Sequence, residues 1–299
     1  MPNPPTPGLC ETLGIAVRRI LAPNPSPMTQ HGTNSYLIGT GDVALIDPGP
    51  NIPAHATAIL AALKPGERIS HIFVTHSHID HSPLARPMAQ ALGAQVYAFG
   101  NATAGRSPQM QALADAGLVA GGEGVDASFT PDVTLADTET LSHGDWSLTA
   151  IHTPGHLSNH LCFALGDVLF SGDHVMGWAS SLVSPPDGDM AAYMASTHKL
   201  AAQNWSIIHS GHGAPITDPT ARLAFLINHR MAREASILAQ LTHGPATIPT
   251  LTQTLYTDTP PALHPAARRN VLAHLLDLIG QNRVTAHPAP SLSAQYTLA

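Results

Sequence analysis

Four side chains able to ligate a metal, His76, His78, Asp80 and His81, fall within six residues, where the apolar run Ile69–Thr75 stops. A loop at a strand end turns several side chains toward one point while the sheet fixes its base. The cluster therefore asks for a sheet-based fold with an ordered strand feeding directly into the loop. Imidazole and carboxylate donors suit Zn²⁺, and a catalytic site keeps one position open. The absence of cysteine from the cluster argues against a structural zinc knuckle. Two ions need more donors than this segment offers, and His156, Asp173 and His212 each close a further strand-like run.

The surrounding pattern supports α/β layering. Strands are expected over 34–39 and 43–47, with Gly39, Gly41 and Asp42 turning between them. Helices are expected over 54–63 and 83–92, the second with Pro83 in its first turn and Gly93 at its end. A strand over 96–99 completes a strand–helix–strand order. Residues 100–130 read as an insertion near the cluster, with a short helix around 108–116. Strands follow over 146–152, 158–165, 168–171 and 205–209, with a helix over 190–202 before the last. Beyond residue 218 the pattern turns helical, with clear amphipathic runs over 219–241 and 266–279. The expected organisation is an N-terminal extension (1–30), a main domain (31–217), a small helical domain (218–288) and a flexible tail (289–299).

Composition narrows the function classes. With 13 Lys and Arg against 20 Asp and Glu, the net charge of -7 creates no general field for nucleic acid. Two cysteines, Cys10 and Cys162, make no disulfide framework. Neither a signal peptide nor an apolar run of membrane-spanning length is read, so the expectation is a cytoplasmic protein with no membrane partner.

The segment Thr75–His81 resembles the HxHxDH signature of the metallo-β-lactamase superfamily. Pro154-Gly155-His156, Ser171-Gly172-Asp173 and Gly211-His212-Gly213 resemble its downstream motifs, in the same order, and Ile46-Asp47-Pro48-Gly49 its early motif. The resemblance implies an αββα four-layer sandwich and a metal-dependent hydrolase with two Zn²⁺ ions, manganese or iron being used by some members. By motif matching, His76, His78 and His156 would hold one ion, Asp80, His81 and His212 the other, and Asp173 would bridge them. A water or hydroxide between the ions would attack an ester-type bond, with Asp80 orienting it, and Asp47 would support the loop.

Within the superfamily the chain resembles the lactamase-beta-2 group. The stretches that carry this are 171–178, Pro185-Pro186-Asp187-Gly188-Asp189-Met190 with Tyr193-Met194, and Asn228-His229-Arg230 with Arg233-Glu234. The likeness implies a winged-helix-like C-terminal domain, whose role could be homodimer formation, covering the site or binding substrate. Its animal members, single-strand-selective endoribonucleases, bring single-stranded RNA into the open set of substrates. Beside it stand a small-molecule ester, thioester or lactone. A non-catalytic nucleic-acid-binding protein and promiscuous β-lactam hydrolysis are weaker readings. His174, Trp178 and Tyr193 are candidates for the substrate cleft. Arg268 and Arg269, with Arg283, are candidates for nucleic-acid contact.

Overall fold

The computed structural model describes residues 5–14, 16–119, 121 and 124–299. The first prolines of the chain and residues 120, 122 and 123 of the 100–130 segment lie outside that description.

The first sheet has seven strands in sequence order: β1 (Cys10–Gly14), β2 (Val17–Leu21), β3 (Asn34–Ile38), β4 (Asp42–Ile46), β5 (Arg68–Phe73), β6 (Gln95–Ala98) and β7 (Val133–Thr134). It runs antiparallel to β4 and parallel from there on. The crossovers are α1 (Pro53–Ala61) and α2 (Ala85–Leu92), and α3 (Pro108–Asp115) lies between β6 and β7. Residues 10–14 and 17–21, expected to lie in an extension, are instead strands of this sheet. Val17 and Ile20 are buried in it, and β2 pairs with β3 along its whole length.

The second sheet contains β8 (Thr140–His143), β9 (Trp146–His152), β10 (Leu161–Leu165), β11 (Val168–Gly172) and β12 (Ile207–Ser210), ordered β12-β11-β10-β9-β8. Its outer face is covered by α4 (Met190–Ala201) and α5 (Pro219–Leu241). The alternation of β4 explains how the layers stack. Val43 and Leu45 point to the core under α1 and α2, while Ala44 and Ile46 point to the core shared by both sheets. A strand buried on both faces reads as a continuous apolar run. Phe73, Tyr36, Phe163 and Phe170 fill the space between the sheets. The result is the expected αββα sandwich.

The C-terminal unit follows α5 and comprises β13 (Ala246–Thr247), α6 (Ile248–Leu255), α7 (His264–Gly280), β14 (Val284–His287) and β15 (Gln295–Leu298). The segment 289–299 is not a loose tail. β15 is the middle strand of the sheet β13-β15-β14, and Tyr296 is fully buried against Leu275 and Ile237. The 100–130 segment also docks here, through Met110 in the same core and Gln109 Nε2 donating to the Leu276 carbonyl.

Candidate metal centre

Every expected ligand follows the C-terminal end of a strand. His76, His78, Asp80 and His81 follow β5, His156 follows β9, Asp173 follows β11 and His212 follows β12. The structure brings all seven together. Their ligand atoms form three overlapping groups, His76/His78/His156, His76/His81/Asp173 and Asp80/His81/His212, with atoms within 4.8 Å of one another in each. His212 Nε2 lies 3.1 Å from Asp80 Oδ2 and 3.2 Å from Asp173 Oδ2. His81 Nε2 is 3.4 Å from both carboxylates.

Neighbouring groups decide which ring nitrogen faces inward. His81 Nδ1 lies 2.8 Å from Asp47 Oδ2, which can only accept, so Nδ1 carries a proton and Nε2 is the atom that faces the cluster. His212 Nδ1 donates to the Gly32 carbonyl and His156 Nδ1 to the Leu182 carbonyl. Thr75 Oγ1 donates to Asp47 Oδ2, so it accepts from His76 Nδ1. His76 Nε2 and His156 Nε2 therefore both present lone pairs to His78 Nδ1, at 2.9 and 3.0 Å. One proton on His78 cannot satisfy both. Asp80 Oδ1 and Asp173 Oδ1 are buried with no partner among the described residues. Converging lone pairs and orphaned carboxylate oxygens fit cations, and the seven donors suit a dinuclear site.

The electrostatics agree. Burial holds His76 and His78 neutral, pushing His78 down to about 3. Burial also opposes the charged form of His212, but Asp173 and Asp80 overcome it and raise His212 to about 10. The two carboxylates are held well below the usual range by His81 and His212, against the opposing effect of burial. In the ion-free chain, protons on these two histidines balance the carboxylates. Metal binding displaces such protons.

Asp47, immediately after β4, stands where the sequence placed it, behind the ligands. Its backbone has φ 50°, and its Oδ1 accepts from Thr75 N at 2.7 Å. Close approach matters at Gly211, where a Cβ would lie 2.3 Å from Asp173 Oδ1 and 2.7 Å from His81 Cε1.

Two of the three expected cleft residues are elsewhere. His174 is buried behind Asp173, with Nε2 bonded to Thr197 Oγ1 at 3.0 Å and its ring 4.6 Å from that of Tyr193. Tyr193 is fully buried and donates to the His174 carbonyl. The apolar packing of α4 against the Asp173–His174 turn takes both from the surface. Trp178 does wall a cavity, of about 310 Å³, together with Met28, Met176, Leu182, Tyr256 and Asn270 among others. A Cβ on Gly213 would lie 2.7 Å from Trp178 Cδ1, which places the indole beside the His212 turn. Arg268 is exposed on α7, Arg269 donates to the Val119 carbonyl, and Arg283 pairs with Glu234 at 2.7 Å.

Sequence reasoning missed the irregular strap 176–184, which runs between the metal centre and the C-terminal helices. Ser181 Oγ donates to the Asp173 carbonyl, and Leu182 holds His156. From α5, Arg222 donates to the carbonyls of Met176 and Ala179, and the buried Arg230 to that of Ser181. The sequence signals were the stretch 171–178, which reaches Trp178 at the start of the strap, and the Asn-His-Arg motif, whose partners are too far along the chain to be read.

Residues 28–212 match the family described as "Metallo-beta-lactamase superfamily", and residues 247–289 match "Beta-lactamase associated winged helix domain". The chain belongs to the metallo-β-lactamase superfamily and is a metal-dependent hydrolase whose ligand clusters form a candidate dinuclear site. It is related to the lactamase-beta-2 proteins. It is 32% identical over 289 residues to "Beta-lactamase-like protein 2 homolog" of Drosophila melanogaster, covering 91% of each chain. It is also 32% identical over 243 residues to "Thioesterase pkgB" of Emericella nidulans, covering 80% of this chain and 62% of that protein. Among solved structures, a metallo-beta-lactamase family protein from Thermus thermophilus aligns at TM-score 0.76 and 26% identity, covering 96% of this chain and all of the other. A beta-lactamase domain protein from Burkholderia ambifaria aligns at TM-score 0.82 with 20% identity, covering 100% of this chain and 96% of the other, a likeness of fold.

Proposed function

We propose that this chain hydrolyses the acyl bond of a small-molecule thioester or ester, with two zinc ions as cofactor. The observation that carries the reading is the cavity beside the metal centre. Leu182 serves both, its carbonyl holding His156 and its residue lining the cavity. No charged side chain lines that cavity among the described residues. A site for single-stranded RNA needs cations along the phosphates, with aromatic faces for the bases. A neutral, largely apolar cavity suits an acyl chain. The 32% identity to a protein named a thioesterase supports the same choice.

In this reading His76, His78 and His156 would hold one ion and Asp80, His81 and His212 the other, with Asp173 available to both. Bound there, the ions supply Lewis-acid polarisation of the scissile carbonyl and lower the pKa of the attacking water. The chain's own residues orient the reactants. Asp80 Oδ1, which has no hydrogen-bond partner among the described residues, would accept a hydrogen bond from the water and aim it. Asp47 and Thr75 keep His76 and His81 turned inward. Trp178 and Leu182 seat the acyl chain and exclude solvent. Free Cys10 and Cys162 fit a reducing, cytoplasmic setting, and no helix among the described residues is long and apolar enough to cross a membrane.

The test is a substrate panel on metal-quantified protein: an acyl thioester, a lactone, a chromogenic phosphodiester, a β-lactam and single-stranded RNA. Turnover is expected on the thioester or an ester, with KM rising about tenfold in Trp178→Ala as apolar contact is lost. Turnover of RNA with none on any acyl substrate would overturn the proposal.

A further inference from the structure

The cavity beside the metal centre is made jointly by both parts of the molecule. Met28, Met176, Trp178 and Leu182 come from the sandwich, and Leu263 and Asn270 from the C-terminal unit. Most of this wall is apolar, so an oriented polar group within it carries most of the discrimination.

Asn270, half-buried on α7, is such a group. Its Oδ1 accepts from the Val183 backbone N–H at 3.1 Å and from Arg230 Nη1 at 3.3 Å. Both partners can only donate, so the oxygen is the atom they hold and the amide cannot turn over without losing both. The other end of the amide, Nδ2, has no acceptor among the described residues and is open to solvent rather than buried. Arg230 is itself immobilised, stacked 5.1 Å from the Tyr193 ring centroid and bonded to Ser181. The result is a pre-oriented N–H donor in a neutral cavity, with its partner left to be supplied.

We infer that Asn270 is a specificity-determining residue, and that the substrate carries a neutral oxygen acceptor of carbonyl type on the part the cavity holds. The inference deepens the acyl-hydrolase reading and rests on it for the nature of the substrate. An oxygen placed at Nδ2 satisfies a donor that a hydrocarbon chain would bury unpaired. A binding site built to meet an acceptor discriminates against the analogue that lacks one. No cation lines the cavity to favour a carboxylate there.

The test uses hydrolysis-inert thioether analogues of one chain length, one all-hydrocarbon and the others carrying a single ketone walked along the chain. Binding to the metal-loaded protein is measured by calorimetry. At one ketone position the wild type is expected to bind about tenfold tighter than to the hydrocarbon, the worth of one hydrogen bond. Asn270→Asp keeps an oxygen for Val183 and Arg230 and removes the donor, so this ratio should fall to one or below. A wild-type ratio of one at every ketone position overturns the inference without any variant, as does a ratio that survives Asn270→Asp. Should the ketone preference appear while the matching thioester is never hydrolysed, the acyl-hydrolase reading fails and the role of Asn270 stands. Binding of neither analogue overturns both.

Discussion

The metal centre and the cavity beside it are neighbours built by opposite rules. The ligands of the centre follow strand ends, all but the half-buried His78 are buried, and His81, His212 and His156 have their outward nitrogens bonded to Asp47, Gly32 and Leu182. The cavity is walled by an irregular strap and by helices of a second unit, and holds mostly apolar side chains. The centre is thus held by specific polar contacts, while in the proposed reading the cavity, with few such contacts, is the part that selects the substrate. One can change without the other only as far as the strap 176–184 allows.

The largest expected effect separates the two. Asp173→Asn should lower turnover by on the order of a thousandfold by weakening the joint between the ions. Calorimetry of the inert analogue should still show the cavity occupied. Loss of that binding as well would mean that the two regions are one. A smaller effect probes how the centre is held. Asp47→Asn should weaken metal binding by about 10–100-fold, since the carboxylate fixes the tautomer of His81. Competition against a chromophoric chelator reads this directly, and an unchanged affinity would show that the rest of the loop orients the ring alone. The smallest effect tests the seam. Arg230→Met leaves the Ser181 carbonyl without its donor and Asn270 Oδ1 with only the Val183 N–H, so metal affinity and analogue affinity should both weaken by about three- to tenfold. Arg283→Met is the control. It breaks the pair with Glu234, away from the strap and the cavity, and should lower Tm slightly while leaving both affinities in place. Equal loss in the two variants would reduce Arg230 to a packing residue.

The same contrast explains what could be read from the sequence. The ligands were legible because the chemistry of a dinuclear site demands His and Asp in short motifs, and strand ends put them next to apolar runs. The long helix Pro219–Leu241 was legible because its buried positions, among them Leu223, Leu226, Ile237 and Leu241, follow helical spacing. Four features were hidden. Helix α6 lies in a Thr- and Pro-rich stretch that reads as loop, yet Pro249 sits in its first turn and Thr247 accepts from Thr250 N. Strand β15 is only four residues long and depends on pairing with both neighbours. His174 follows a ligand and Tyr193 lies on the helix that leads to the last ligand motif, so both read as cleft candidates, and only the packing of α4 on the Asp173–His174 turn shows them buried. Asn270 and Arg230 act through partners 87 and 49 positions away, which no local pattern reveals.

The spread of the ligands along the chain has a consequence for folding order. His81 and His212 stand 131 positions apart, and their Nε2 atoms meet at 3.4 Å only when both sheets have closed. Such long-range contacts form late. An ion therefore cannot nucleate this fold as it does in a zinc finger, where ligands lie close in sequence. It enters a finished chamber whose donors already face inward. Which metal fills the chamber is then a contest among ions at equilibrium, settled by what the surroundings supply as much as by the protein.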